Sequence, residues 1–228
     1  MSDSVITKVP ENTTPKKEVI LEMRNITKTF GSIVANKNVD LTVYKGEILA
    51  ILGENGCGKT TLMNMIAGIY YPDSGEICIG GEEVVISSPK DAFKYKIGMI
   101  HQHFKLVEAF SALDNIIAGT PGKLKKRSAL REDISAISKK LGLNVDLNKK
   151  IYNMSVSEKQ TVEILKVLYR GAKILILDEP TAVLTPQETE KLFDMLRIMR
   201  SEGCAIIIIT HKLNEVMAIS DRVTILRK

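Results

Sequence analysis

One eight-residue stretch, Gly53–Thr60, limits most strongly what this chain can fold into. It reads GENGCGKT and fits the spacing G-x-x-x-x-G-K-T, in which backbone amides can surround a single anion. The apolar run before it, Glu47–Leu52, has the composition of a buried strand, and Lys59–Ala67 carries apolar residues at helical spacing. A strand, a glycine-rich turn and a helix in this order predict a phosphate-binding loop within an α/β domain.

The positions of this loop have residue types that suit a bound triphosphate. The Lys59 ammonium can reach the β- and γ-phosphates, and the Thr60 hydroxyl can ligate Mg²⁺. The glycines allow the backbone to turn its N–H groups towards the phosphate oxygens. The residues that we predict to contact the nucleotide here are Gly53, Glu54, Asn55, Gly56, Cys57, Gly58, Lys59, Thr60 and Thr61.

Two acidic residues follow a second apolar run, Ile174–Leu177. If this run is a strand of the same parallel sheet, it ends at the edge where the phosphate loop begins. Asp178 is then suited to hold the Mg²⁺ of the nucleotide, and Glu179 to orient or deprotonate the water that attacks the γ-phosphate. Without the phosphate loop, the same two acids would be read as the end of a strand before the turn at Pro180.

The remaining patterns predict the rest of the fold. Near the start, Val19–Arg24 and Val39–Val43 alternate as half-buried strands, and residues 76–86 suggest a hairpin. From Lys173 onwards, apolar strands alternate with amphipathic helices, which is typical of a parallel sheet covered on both faces. We therefore predict an α/β fold with a mostly parallel core sheet and an antiparallel β subdomain.

Two further segments have a different character. Residues 104–170 lack strand patterns and carry helical ones, so they predict an α-helical subdomain inserted into the α/β core. Residues 1–18 are polar and contain two prolines, which is typical of a flexible tail.

Composition argues against several classes of protein. The three cysteines, Cys57, Cys78 and Cys204, are far apart and lack metal-ligand spacing, which indicates a reducing compartment and no disulfide framework. The longest apolar runs are too short to span a bilayer, and the polar start carries no secretory signal. The net charge of +5 permits anionic partners, but the chain has no Trp and few aromatic residues, so a platform for single-stranded nucleic acid is not indicated.

These motifs and three further residues, taken in order, resemble the ATP-binding subunits of ABC transporters over about residues 19–228. Phe30 lies where the family has an aromatic residue that stacks on adenine. Gln102 occupies the position of the glutamine that meets Mg²⁺ or the water and senses the membrane subunits. His211 occupies the position of the switch histidine that contacts the γ-phosphate.

The resemblance implies the P-loop NTPase fold of an ABC ATPase, with ATP and Mg²⁺ as ligands and ATP hydrolysis as the reaction. The catalytic residues that it implies are Lys59, Gln102, Glu179 and His211. The metal ligands that it implies are Thr60, Gln102 and Asp178.

Two segments are similar in amino-acid sequence to importers of nucleosides and simple sugars: Met99 to Val107 and Leu177 to Thr185. That group usually has two ATP-binding domains in one polypeptide, so we expect this chain to be an N-terminal half that continues beyond Lys228. The partners implied are a second ATP-binding domain placed head to tail, membrane permease subunits and, indirectly, an extracytoplasmic binding protein, with no nucleic acid. The expected location is peripheral, on the cytoplasmic side of the cell membrane.

The chain departs from the family in its signature segment, which is usually L-S-G-G-Q and contacts the nucleotide of the opposite domain. The corresponding residues here are Ser155, Val156, Ser157 and Glu158. Loss of both glycines hinders close backbone approach, and Glu158 is expected to add negative charge near an anion. We therefore expect this half to bind ATP on its own phosphate loop but to serve its partner's site poorly.

Other functions remain open at this point. The chain could be a soluble ABC ATPase that acts on the ribosome or on DNA, although such proteins generally keep an intact signature. It could also be a binding module that holds ATP without turning it over. An exporter ATPase is disfavoured by the residues around Gln102 and by the segment Ala182–Thr185.

Overall fold

The computed structural model describes residues 17–120 and 126–227. The strands are β1 (Val19–Phe30), β2 (Ile33–Tyr44), β3 (Ile48–Leu52), β4 (Ser74–Ile79), β5 (Glu82–Val84), β6 (Ile97–Ile100), β7 (Ile174–Asp178), β8 (Ala205–Ile209) and β9 (Arg222–Ile225). The helices are α1 (Lys59–Ile66), α2 (Pro89–Lys94), α3 (Ala112–Ile117), α4 (Arg127–Lys140), α5 (Val156–Tyr169), α6 (Pro186–Ser201) and α7 (Leu213–Ile219). None of the helices in these two ranges has the length and hydropathy that crossing a bilayer requires.

The central sheet is parallel and has the strand order β6-β7-β8-β3-β9. Alternate residues of its strands enter two different cores. Ile207 and Ile209 pack with α1 and the antiparallel sheet, whereas Ile206 and Ile208 pack with α6. Continuous apolar strands are needed because both faces of the sheet are covered. The predicted parallel core is confirmed, and it brings the carboxyl ends of β3, β7 and β8 to one edge.

The second sheet is antiparallel, with the order β2-β1-β4-β5, as predicted. However, β1 and β2 are much longer than the alternation in the sequence indicates, and they form one hairpin that ends at Phe30 and Ile33. The pattern fails because the pairing has register shifts, and because Asn25 and Asn38 adopt the left-handed region with φ of 51° and 49°. Each shift moves the following side chains to the other face, so the sequence no longer alternates.

The predicted helical insertion contains α3, α4 and α5, which lie between β6 and β7 and share a separate apolar cluster. Its residues include Leu113, Ile116, Ile134, Val162 and Leu165. Helix α2 has no counterpart among the predicted helices, although its start signals are present in the sequence. Ser88 caps it by accepting a hydrogen bond from Asp91 N, and Pro89 occupies the first turn.

The predicted tail falls mostly on residues 1–16, which lie outside the described ranges. The last residue of the predicted tail, Glu18, contacts the folded domain. Its carbonyl accepts a hydrogen bond from Lys45 N, and its carboxylate forms an ion pair with Lys45 Nζ at 2.8 Å. The antiparallel sheet therefore begins to hold the chain one residue before β1.

Candidate functional site

The phosphate loop connects β3 to α1, and its shape depends on glycine. Gly56 and Gly58 have φ of 78° and 92°, which is the left-handed region that side chains rarely adopt. Gly58 also packs against β2, where a Cβ atom would overlap the Ala35 carbonyl oxygen. The neighbouring Asn36 is 4% exposed and donates from Nδ2 to the Gly58 carbonyl at 3.4 Å. The loop is therefore held in its curved form by β2 as well as by its own sequence.

The amino end of α1 fits an anion. Its N-cap is Gly58, and no side chain caps the first turn. The N–H groups at the start of a helix have no intrahelical acceptor, and the helix dipole places partial positive charge at the same end. A phosphate is the anion that such a loop and helix end accept most readily. The amino end of α1 can therefore accept an anion, and the nucleotide contacts of residues 53–61 stay a prediction.

Lys59 lies inside the loop and is 5% exposed. Its ammonium donates to the carbonyl oxygens of Gly53 at 2.7 Å and Glu54 at 2.8 Å. A buried lysine needs such acceptors because desolvation of an unpaired charge is costly. The charge is consequently held within the concave side of the loop, where a phosphate would meet it.

Thr60 and Asp178 meet at the edge of the parallel sheet. Thr60 Oγ1 lies 3.5 Å from Asp178 Oδ1, across 118 residues of sequence. Asp178 is 8% exposed, and burial raises the pKa of its carboxyl group above the ordinary value. A hydroxyl and a carboxylate are both hard oxygen ligands, and a divalent cation would offset the desolvation of the carboxylate. The two residues therefore fit the predicted magnesium site.

Glu179 and His211 form a pair beside this position. His211 Nδ1 lies 3.0 Å from Glu179 Oε1, and the Glu179 backbone donates to the Ile209 carbonyl at 2.9 Å. Glu179 has φ of 47°, so its backbone lies in the left-handed region, which costs a non-glycine residue about 1–3 kcal/mol. Strain of this kind concentrates at functional sites. The structure thus brings together the two residues that were predicted to act on the attacking water.

Gln102 follows β6, at the same edge of the parallel sheet, and its side chain is exposed. Its neighbour His101 is half-buried, and burial together with the charge of Lys105 lowers the pKa of its imidazole. The Asp178 carboxylate acts on His101 in the opposite direction, so the imidazole lies within electrostatic reach of the proposed metal ligand. In the sequence, His101 is notable only because it lies beside Gln102. That position does not distinguish a site residue from a loop residue.

Phe30 lies at the tip of the β1–β2 hairpin and is 41% exposed. Its ring makes an edge-on contact with Tyr70, with the ring centroids 5.1 Å apart. Tyr70 follows α1 and was not among the predicted site residues, because its closeness to Phe30 depends on the length of the hairpin. An exposed aromatic ring that is held by a second ring is suited to stack on a nucleotide base.

The signature segment differs from the expectation at Glu158. Ser155 caps α5 by accepting a hydrogen bond from Glu158 N, and the Glu158 carboxylate accepts one from Ser155 N at 2.7 Å. The same carboxylate is paired with Lys149 Nζ at 2.7 Å. The negative charge is therefore matched by a lysine and is engaged in a capping box. The sequence could not indicate this pairing, because no local pattern connects Lys149 to the helix start.

Replacing Lys149 with Ala should weaken this cap. The Lys149 ammonium and the Ser155 amide hold the pKa of Glu158 below its ordinary value. A depressed carboxyl pKa stabilises the fold above the unfolded-state pKa, and this contribution disappears as the pH falls through the folded-state pKa. We expect the variant to lose about 0.2–1 kcal/mol at pH 7 and nothing below the folded-state pKa. Thermal unfolding measured at a series of pH values from 7 downwards checks this, and a loss that stays the same as the pH falls would contradict it.

Comparison with known proteins agrees with this geometry. The family model described as "ABC transporter" matches residues 36–182. The nucleoside import ATP-binding protein NupA of Lactococcus lactis is 47% identical over 92% of this chain and 42% of its own length. The ribose import ATP-binding protein RbsA 2 of Escherichia coli O157:H7 is 44% identical over 95% of this chain and 42% of its own length. This chain thus spans less than half the length of these relatives.

A solved structure supports the same assignment. The ADP conformation of an ATP-binding cassette of an ABC transporter superimposes with a TM-score of 0.82 and 26% identity, over 91% of this chain and 87% of that one. The family model matches more than half of the chain, and both relatives are more than 40% identical to it, so sequence and fold agree. The chain therefore belongs to the ABC transporter family and has the fold of its ATP-binding cassettes.

Proposed function

We propose that this chain is an ATPase domain that binds magnesium-ATP and hydrolyses it. The observation that carries the proposal is the convergence of the phosphate loop, Asp178 and the Glu179–His211 pair at one edge of the parallel sheet. Asp178 and Thr60 approach to 3.5 Å, and Glu179 and His211 to 3.0 Å. Catalysis of phosphoryl transfer needs mainly such positioning and charge neutralisation.

In this proposal each part of the chain has one task. Phe30 would stack on the base, the amides of the loop and Lys59 would hold the phosphates, and Thr60, Gln102 and Asp178 would hold Mg²⁺. The metal supplies positive charge that offsets the charge of the phosphate oxygens. Glu179 accepts a proton from the attacking water or orients it, and His211 holds Glu179 and contacts the γ-phosphate.

We further propose that residues 19–228 form one ATP-binding domain, with a helical subdomain at about 104–170, and that its activity powers import. The reported relatives are named for nucleoside and ribose import, so a nucleoside or a simple sugar is the proposed cargo. Membrane permease subunits and a second ATP-binding domain, placed head to tail, are the proposed partners. This arrangement would place the domain peripherally on the cytoplasmic side of the membrane. Nothing in these relatives favours the alternative of an ATPase acting on the ribosome or DNA.

Calorimetry with the purified chain tests the first step. We expect ATP to bind with an affinity that falls when EDTA removes Mg²⁺, since Thr60 and Asp178 are proposed to hold that cation. Hydrolysis is then followed in a single turnover, with and without the second ATP-binding domain of the full-length polypeptide. Absence of any magnesium-dependent affinity for ATP would refute the proposal.

A further inference from the structure

A second acid, Glu215 on α7, contacts three donors that are close in sequence to Glu179 or His211. Its carboxylate accepts the Thr181 hydroxyl at 2.6 Å and the Thr210 hydroxyl at 3.1 Å. It also forms an ion pair with Lys212 Nζ at 2.9 Å. Thr181 and Thr210 are 2% and 3% exposed, so these hydrogen bonds are shielded from water. The predicted catalytic set did not include any residue of this cluster.

The cluster joins the two loops that carry the catalytic pair. Thr181 lies two residues after Glu179, and Thr210 lies immediately before His211. Lys212 reinforces the connection because its Nζ donates to the Thr181 carbonyl at 3.1 Å and its backbone N donates to Thr210 Oγ1 at 3.1 Å. Glu215 therefore connects the segment after β7 to the segment after β8 through side chains alone.

The connection matters because the Glu179 backbone is strained. With φ of 47°, Glu179 keeps its conformation only if its surroundings hold it there. On the amino-terminal side, Glu179 N is bound to the Ile209 carbonyl. On the carboxyl-terminal side, the Pro180 carbonyl accepts from Gln160 Nε2 at 2.8 Å, and Thr181 is held by Glu215. Removal of Glu215 would release one of these restraints together with the hydroxyl link to the His211 loop, and would leave the hydrogen bonds from Lys212 Nζ to Thr181 in place.

We propose that Glu215 is a positioning residue that sets the geometry of the Glu179–His211 pair. It acts through the hydroxyls of Thr181 and Thr210, without contact with nucleotide. The catalytic consequence of this role rests on the proposed function, whereas its geometric consequence does not. Both can be measured.

Replacing Glu215 with Ala should lower the single-turnover rate of ATP hydrolysis about 10- to 100-fold, since small displacements of a catalytic group have effects of this size. The affinity for ATP should stay close to that of the unchanged chain. Glu215→Gln should restore most of the rate, because its amide can still accept from one hydroxyl and donate to the other. A purely structural acid would instead show equal losses for both variants, in step with their melting temperatures.

Asp91 provides a matched control. Like Glu215, it accepts hydrogen bonds from two hydroxyls, those of Ser87 and Ser88, and pairs with a lysine, Lys94. It lies at the start of α2, outside the candidate site. Asp91→Ala should lower the melting temperature and leave the hydrolysis rate unchanged. An equal fall in rate in both alanine variants would overturn the proposal.

A double-mutant cycle identifies the route of the effect. If Glu215 acts through the pair, Glu215→Ala should add little to the loss already caused by His211→Ala. Fully additive losses would show that Glu215 influences the rate by another route and would refute the positioning role. Both variants and their combination are compared at saturating ATP so that binding does not enter the comparison.

A readout that does not depend on hydrolysis separates the two proposals. The chain has three histidines, so the ¹⁵N resonances of His211 can be assigned with one His211→Ala spectrum. Glu179→Gln should shift the His211 Nδ1 resonance strongly, because the two side chains are in contact, and this shift should largely vanish in the Glu215→Ala background. An undiminished shift would overturn the positioning role. If the shift vanishes but the unchanged chain hydrolyses no ATP, the positioning role stands and the proposed function fails.

Discussion

Glu179→Gln is expected to lower the rate of ATP hydrolysis about 10²- to 10⁴-fold, which is the usual contribution of a general base, while the affinity for magnesium-ATP stays intact. The carboxylate contacts His211 at 3.0 Å, and its amide replacement keeps the shape but cannot accept a proton from water. Single-turnover hydrolysis and calorimetry, performed on the same preparation, measure the two quantities separately.

The matched control for this variant is Glu202→Gln. Glu202 likewise contacts one nitrogen-bearing side chain, Lys140, at 2.9 Å, but it lies after α6, away from the phosphate loop. This change should leave the hydrolysis rate as it is. If the Glu179→Gln chain turned ATP over at the original rate, Glu179 would have no part in the mechanism, and another residue would have to activate the water.

Lys59→Ala should weaken ATP binding by about 1.5–3 kcal/mol, or roughly 10- to 150-fold, because hydrogen bonds to charged groups contribute on this scale. Lys59→Arg should not restore the affinity, since the wider guanidinium does not fit the buried position where the Lys59 ammonium meets the Gly53 and Glu54 carbonyls. Titration of ATP followed by calorimetry measures both changes.

The loss must be distinguished from a collapse of the loop, because the same ammonium also satisfies two of its carbonyls. AMP serves this purpose: it lacks the β- and γ-phosphates that Lys59 is proposed to contact, so its weaker binding should change little. Lys45→Ala, which removes an exposed lysine paired with Glu18, controls for loss of charge. Equal losses for AMP and ATP would indicate a damaged loop, and unchanged ATP affinity would remove Lys59 from the site.

These expectations depend on features that the sequence reveals to different degrees. The phosphate loop and the two acids, Asp178 and Glu179, were predicted from local patterns, because each motif directly follows an apolar strand. The parallel sheet then brings the carboxyl ends of those strands to one edge without further information. His211 was placed near Glu179 only by the resemblance to the ABC ATP-binding subunits, because a histidine after a strand does not by itself indicate a site.

Other features could not be predicted, because they depend on contacts between distant parts of the chain. The length of the hairpin that places Phe30 against Tyr70 could not be predicted, because register shifts interrupt the alternation of apolar and polar residues that indicates a strand. Likewise, nothing in the local sequence of α5 shows that a lysine matches the charge of Glu158, so that charge was expected to face an anion.

The sequence by itself therefore determined the family, the α/β architecture and the chemical groups at the edge of the sheet. Only the tertiary structure decided how those groups are held, through the left-handed backbone of Glu179 and the hydrogen bonds of Glu215 to Thr181 and Thr210. The physical reason is one of range. Strands, turns and helix starts are encoded by neighbouring residues, whereas the partner of a buried side chain is chosen by the packing of elements far apart in the chain.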